Sequence, residues 1–362
     1  MKKIAILGIR GIPAQYGGFE TFAEEISIRL AESGVDVTVY CESNSEKQYA
    51  PAIYKGVKLV YLSSPSLGSL STIVFDLKCF WHARKNYDVV YMLGYGASMF
   101  AFIPRLFGSK VWINMDGLEW VRSKWSGLAK TWLKFGEKMS MWTPNRIIAD
   151  AQAIQDNLNS RYKKMPNCSV IPYGAYIVKD ADKNLLIDFE LRPQEYFLIV
   201  CRLEPENYIL EIIQGFLQSD TSFPLVVVGN HSTGTDYVSH LLKFKDKRIR
   251  FVGTVYEQPK LQALRSFTLG YFHGHSVGGT NPSLLEALGC GSPVIAHNNP
   301  FNHEVIQNAG MFFSEPVDIP DLISKLENDV SLREQMITLG HKIIQERYTW
   351  EKITDSYLKL LD

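Results

Sequence analysis

Short apolar runs alternating with helix-length amphipathic segments occupy nearly the whole chain, in two successive blocks. Lys3 to Leu7 is followed by a glycine- and proline-rich turn from Gly8 to Gly18, a helical pattern from Phe19 to Ser33, and a β-branched strand from Val35 to Cys41. Parallel strands need a long crossover between them, so this opening reads as a βαβ unit. Further strands are expected at Val57 to Leu62, Asp88 to Leu93, Lys110 to Asn114, Arg146 to Ala149 and Ser169 to Ile171. The charged, aperiodic stretch from Ile177 to Arg192 reads as a linker. The alternation then resumes with strands at Tyr196 to Cys201, Leu225 to Val228, Ile249 to Val252, Leu269 to Phe272 and Val294 to His297, and helices near Tyr237 to Lys245 and at Pro282 to Gly289. At 362 residues the chain exceeds what one core organises. The expected fold is therefore α/β, with two doubly wound Rossmann-like domains facing a central cleft: residues 1–175, a linker at 176–192, and residues 193–348. The tail from Ser331 to Leu361 is helical but broken around Arg347 to Trp350, so a C-terminal helix at 349–362 is expected to rejoin the first domain.

Charge removes one class of function. Lys and Arg number 38 and Asp and Glu number 38, which leaves no global cationic footprint for nucleic acid. Cys41, Cys79, Cys168, Cys201 and Cys290 are scattered and predict neither a zinc site nor a disulfide framework, but thiols in a reducing compartment. The apolar start from Ile4 to Ile9 is too short for a signal peptide. Ala97 to Phe107, interrupted by Pro104 and Arg105, falls short of the roughly 20 residues of a spanning helix. A cytoplasmic location is expected.

Ligands of open α/β sheets bind beyond the carboxyl ends of the strands, so chemistry is sought in loops that follow strands. Leu7 to Thr21 is such a loop, and its glycines, Gly17 and Gly18 included, let backbone approach an anion at a helix start; a tight turn is the simpler alternative. Gly8-x-x-Gly11 does not satisfy the dinucleotide fingerprint, which leaves Glu42 either as a ribose ligand in a nicotinamide enzyme or as a solvated acid. In Cys201 to Asn207, with a helix expected to begin near Asn207, Arg202 is placed to hold a phosphate with its planar fork, or else to pair with Glu204 or Glu206. Phe272 to Ala296 is richest. The amides from Gly279 to Asn281 and the hydroxyls of Thr280 and Ser283 suit a diphosphate, and Glu286 suits the two hydroxyls of a ribose. The alternative is that Asn281 or Ser283 merely caps the helix. His273 and His275 read as core or substrate contacts rather than metal ligands.

In Ile113 to Trp120, Asp116 and Glu119 follow a strand, and Asp116 suits an acceptor hydroxyl or a helix cap. From Trp120 to Arg146 four tryptophans interleave with Arg122, Lys124, Lys130, Lys134, Lys138 and Arg146 against one acid, Glu137. That pattern suits an anionic membrane surface or a lipid-linked diphosphate acceptor, or else a helix with buried tryptophans and solvated lysines. Asp180-Ala181-Asp182 reads as solvated rather than metal-binding.

Together these segments resemble the retaining family 4 glycosyltransferases of the GT-B fold. The likeness rests on G-G-F-E-T at Gly17 to Thr21, R-L-E-P-E-N at Arg202 to Asn207, S-L-L-E-A-L-G-C-G-S-P-V-I at Ser283 to Ile295, and Y-T-W-E at Tyr348 to Glu351. More narrowly, G-I-P-A-Q-Y-G-G-F-E-T-F, D-G-L-E-W and H-S-V-G-G-T-N-P-S-L-L-E-A are similar to the bacterial rhamnosyltransferases that build capsule and cell-wall polysaccharide. The resemblance implies Gly17 and Gly18 near the donor phosphates, Arg202 on the diphosphate, Glu286 on the ribose and the Gly253 to Val255 turn beside the base, with Asn230 and His275 completing the donor set. Asp116 stands where the family often has an acceptor-side histidine, and it joins Arg202 as a catalytic residue with Glu119 beside it. Two positions depart from the family. The acid usually found eight residues before the ribose Glu is Gly278, and the Lys usually five residues after the phosphate Arg is Asn207. The rhamnosyltransferase subgroup shares both changes, which implies an altered sugar pocket. The implied activity is transfer of L-rhamnose from dTDP-L-rhamnose, a co-substrate, to a lipid-linked saccharide with retention, using no metal or other cofactor. Alternatives are a UDP-sugar transferase of the same fold, a nucleotide-sugar epimerase, a nicotinamide oxidoreductase and a non-catalytic nucleotide-sugar-binding subunit.

Overall fold

The apolar runs are strands of two mostly parallel sheets in the computed structural model, which describes residues 1–14, 17–43, 52–65, 70–115, 117, 119–122, 125, 127–232 and 234–362. The chain divides into two units, Met1–Tyr173 with Trp350–Asp362, and Gly174–Thr349.

In the first unit the strands are β1 (Lys3–Leu7), β2 (Asp36–Ser43), β3 (Ile53–Tyr54), β4 (Val57–Ser63), β5 (Val89–Met92), β6 (Lys110–Met115), β7 (Arg146–Ala149) and β8 (Asn167–Val170). They lie in the order β3-β4-β2-β1-β5-β6-β7-β8, parallel except for the β3–β4 hairpin. Helices α1 (Gly18–Glu32), α2 (Leu70–His82), α3 (Phe102–Leu106), α4 (Gly127–Ser140) and α5 (Gln152–Arg161) form the crossovers. A parallel strand covered on both faces must be apolar along its length, which is why Ile4 to Leu7 and Val89 to Met92 are all buried. The terminal helix Trp350–Leu361 belongs to this unit: Phe22 packs against Trp350 and Tyr357, and the hydroxyls of Tyr91 and Tyr357 share a buried hydrogen bond of 2.8 Å.

In the second unit the strands are β9 (Phe197–Val200), β10 (Leu225–Val228), β11 (Ile249–Gly253), β12 (Gly270–His273), β13 (Val294–His297) and β14 (Gly310–Phe313), in the order β11-β10-β9-β12-β13-β14. Its helices are α6 (Ile209–Leu217), α7 (Asp236–Leu241), α8 (Gln258–Ser266), α9 (Pro282–Gly289), α10 (Pro300–Ile306), α11 (Ile319–Asn328) and α12 (Val330–Ile343). Phe197, Phe216, Val227, Phe272 and Ile295 anchor its core. The order runs outward from β9 in both directions, so the chain reverses its winding between β9 and β12, and a crevice opens beyond their carboxyl ends.

Three expectations are revised. Residues 176–192 fold within the second unit: Asp182 caps a 3-10 turn at Lys183–Phe189, accepting from the Asn184 amide at 2.9 Å, and Asp188 pairs with Lys260 at 3.0 Å. The helix expected to start at Asn207 is delayed by a 3-10 turn, Pro205–Asn207, and by Tyr208 at φ 49°. The helix expected to reach Lys245 stops at Leu241. Among the described residues, no helix is long and apolar enough to cross a membrane.

Candidate functional site

Arg202 leaves β9 at the switch point of the second sheet. Its side chain is 44% exposed and faces Glu204 at 3.6 Å, a loose surface pair that leaves the guanidinium fork able to turn to a ligand. Asn207 holds the loop beneath it. This side chain donates to the Arg202 carbonyl at 2.7 Å, and its oxygen lies 2.9 Å from Nδ1 of His275, in the loop after β12. Gly274 completes the junction, since a Cβ there would collide with the Asn207 carbonyl oxygen. The residue that departs from the family pattern is thus a buried brace joining the two loops of the crevice. Sequence reasoning singled it out only as a missing lysine. The His275 carbonyl is held in turn by the side-chain amides of Asn299 and Asn302, at 3.0 and 3.1 Å. Asn207→Ala removes two hydrogen bonds worth about 0.5–1.5 kcal/mol each. We expect it to weaken nucleotide binding about tenfold, measured by titration calorimetry. Asn207→Lys should do no better, because an ammonium cannot accept from His275 and would be buried at this position.

Gly278 explains the second departure. Its φ of 125° lies where L side chains rarely go, so the loop in this form does not accommodate an acid there. Gly278 and Gly279 are buried, and their amides bond to no described residue, which leaves them as donors for an anion. Thr280 is buried beside them. Asn281 is the N-cap of α9, accepting from the Ser283 amide at 2.9 Å, with Pro282 at the first helical position.

Two residues behave differently from the sequence expectation. The Ser283 hydroxyl, expected on a diphosphate, donates to the Val200 carbonyl at 3.0 Å and shares a 2.8 Å hydrogen bond with the Tyr271 hydroxyl, so it secures α9 to β9 and β12. Glu286, expected to give both oxygens to a ribose, binds Arg265 through Oε2 at 2.6 Å. Arg265 is 3% exposed and also donates to Ser283 at 3.2 Å. It was missed in the sequence, although it shares the buried face of α8 with Leu261 and Leu264.

Asn230 follows β10 and accepts from the Ser232 amide at 2.9 Å, while Gly253 ends the neighbouring β11 and accepts from the Gly229 amide. With half-buried Val255 they line the same carboxyl edge, on the β10–β11 side of the crevice. His273 is a buried neutral imidazole, pushed down to about 3 by burial, with His297 adding to the effect.

In the first unit Gly17 caps α1 and Gly18 begins it, at the switch point between β1 and β5. The carboxylate of Glu20 lies against Gly17, so an anion already sits at this helix start. Gln15, Tyr16, Asp116 and Lys124 lie outside the described residues. Glu119 is engaged by Arg122 at 2.8 Å and by the Trp125 indole at 3.1 Å. The Trp120–Arg146 stretch is largely tied down. The indole of Trp120 donates to buried Glu137, and that of Trp132 to the Gly96 carbonyl. Arg161 and Tyr162 also donate to Glu137, each at 2.6 Å.

Two mostly parallel-sheet α/β domains, the second with a crevice at its switch point, define a GT-B glycosyltransferase fold. Sucrose-phosphate synthase from Thermosynechococcus elongatus shares it with a TM-score of 0.84 at 16% identity, over 99% of this chain and 98% of that one. HepE of Anabaena, in complex with UDP-glucose, shares it with a TM-score of 0.80 at 17% identity, over 100% and 99%. Residues 186–342 match the family Glycosyl transferases group 1, and residues 1–176 match a Domain of unknown function (DUF1972). The second half of the chain therefore carries the match to a glycosyltransferase family, and the fold is that of glycosyltransferases. Among curated proteins, O-antigen chain mannosyltransferase B of Escherichia coli is 27% identical over 184 residues, 47% of this chain and 46% of that protein. The chain spans about half the length of the first curated relatives it matches.

Proposed function

We propose that the chain is a glycosyltransferase that moves L-rhamnose from dTDP-L-rhamnose to a hydroxyl of a lipid-linked saccharide, with retention, in bacterial cell-surface polysaccharide synthesis. The observation that carries this reading is the crevice beyond the adjacent strands β9 and β12, where the loop after β9 carries a half-exposed Arg202 and the loop after β12 carries the buried amides of Gly278 and Gly279, which bond to no described residue. Negative charge grows on the departing diphosphate, and donors already oriented there stabilise it without rearrangement. Oε1 of Glu286 takes a ribose hydroxyl, and the Gly253 to Val255 turn with Asn230 lies beside the base. The first unit binds the acceptor, with Asp116 receiving or orienting the acceptor hydroxyl, at the cytoplasmic face of a membrane. The left-handed backbone at Gly278 supports a sugar pocket without the family's acid, which suits a 6-deoxy sugar.

A second reading is a UDP-sugar donor, favoured by the UDP-glucose bound to the similarly folded HepE. Thermal midpoints with dTDP, UDP, GDP, ADP and NAD separate the two, because a ligand at 100 times its Kd adds about 2.7 kcal/mol to the folded state. The largest shift is expected with dTDP. A larger shift with UDP would keep the transferase and change the sugar, and a shift with NAD alone would overturn the reading.

A further inference from the structure

We propose that α4, α3 and the end of α2 form a face that docks on an anionic lipid surface. This deepens the membrane contact proposed above and moves it away from the tied-down indoles of Trp120, Trp125 and Trp132. Leu128, Phe135 and Trp142 are spaced by seven residues, so they share one side of α4 and the turn after it, and they are 88%, 47% and 70% exposed. Lys134 and Lys138 are exposed on the same helix. The stripe continues onto α3, because the Trp142 carbonyl accepts from the Arg105 guanidinium at 3.4 Å. There Phe102 and Leu106 stand one turn apart, both exposed. Phe107 follows, and the Arg84 guanidinium lies 5.8 Å from its ring and 4.5 Å from that of Trp81, which brings in the end of α2. Beside Trp81, Leu77, Lys78 and Arg84 wall a recess of about 530 Å³, room for a lipid headgroup.

The charge on this face is of one sign. Asp76 and Glu137 are the acids of the three helices, and both are buried. Large apolar side chains interleaved with cations match the boundary between headgroups and acyl chains, where the former insert and the latter meet phosphate. Each basic residue near such a surface adds roughly fivefold to partitioning.

The test is cosedimentation of the full chain with vesicles of phosphatidylcholine alone and of phosphatidylcholine mixed with phosphatidylglycerol. Binding to the mixed vesicles at low salt is expected, with release at high salt and little binding to the neutral ones. Lys85, whose ammonium lies 5.2 Å from the Phe107 ring, belongs to this face, and Lys85→Glu with Lys138→Glu should weaken binding at least tenfold, as should Leu128→Ser with Phe135→Ser. Lys243→Glu with Lys325→Glu, the same charge change in the second unit, should leave it intact. Equal binding to neutral vesicles, no binding to mixed ones, or an equal loss in the second-unit control overturns the proposal. Sugar transfer plays no part in this readout, so the docking face and the proposed activity fail separately.

Discussion

Arg202→Ala is expected to lower kcat roughly 30- to 1,000-fold, the equivalent of about 2–4 kcal/mol of transition-state stabilisation for one oriented donor. The loss should fall on catalysis and not on folding. Arg202 is 44% exposed and its ion pair with Glu204, at 3.6 Å, is the loose surface kind that contributes little to stability. The thermal midpoint should therefore stay within a degree or two of wild type. Arg202→Lys keeps the charge but not the paired donors and should recover only part of the rate. Turnover equal to wild type in the alanine variant removes Arg202 from the mechanism.

Glu286→Ala should act on both stability and binding. Removing one member of a buried pair leaves the other charge uncompensated, at a cost of about 3–5 kcal/mol when both are buried. Arg265 is 3% exposed but the Glu286 side chain is 34% exposed, so about 2–3 kcal/mol is expected here. In a unit of this size that lowers the midpoint by roughly 5–10 °C. The nucleotide-induced shift should vanish as well. Arg265→Met combined with Glu286→Leu removes both charges and should recover most of the midpoint, because an apolar pair can replace a buried ion pair at little cost. The nucleotide response should stay lost in the double variant. Recovery of that response would show that Glu286 serves only to neutralise Arg265.

Much of the fold was legible because its strands are buried on both faces. Ile4 to Leu7, Ile147 to Ala149, Leu225 to Val228 and Val294 to Ala296 are continuous apolar runs, and helix Pro282–Gly289 announces itself by Asn281 and the proline after it. Elements with weaker patterns escaped. Strand Gly310–Phe313 is four residues at the edge of its sheet, and Ile53–Tyr54 is two. The linker reading failed for a different reason. Lys183–Phe189 has no helical period to detect, because it is a 3-10 turn fixed by a cap and an ion pair.

The candidate site was legible in its loop positions, since Arg202 follows β9 and Gly279 follows β12 as the sequence places them. It was not legible where partners distant in sequence decide what a side chain does. Ser283 looks like a phosphate ligand until Val200 and Tyr271 are found beside it. Glu286 looks free until Arg265 appears 2.6 Å away. The Trp120–Arg146 stretch shows the same limit, since composition alone does not separate the bound indole of Trp120 from the exposed one of Trp142.

The most direct measurement is release of dTDP from dTDP-L-rhamnose by the purified full chain, with and without a lipid-linked saccharide fraction. The account predicts release that depends on the acceptor, a product that keeps the donor's anomeric configuration, and loss of both with Arg202→Ala. Conversion of the donor to an isomer without nucleotide release, or no release from any dTDP-, UDP- or GDP-linked sugar, would contradict it.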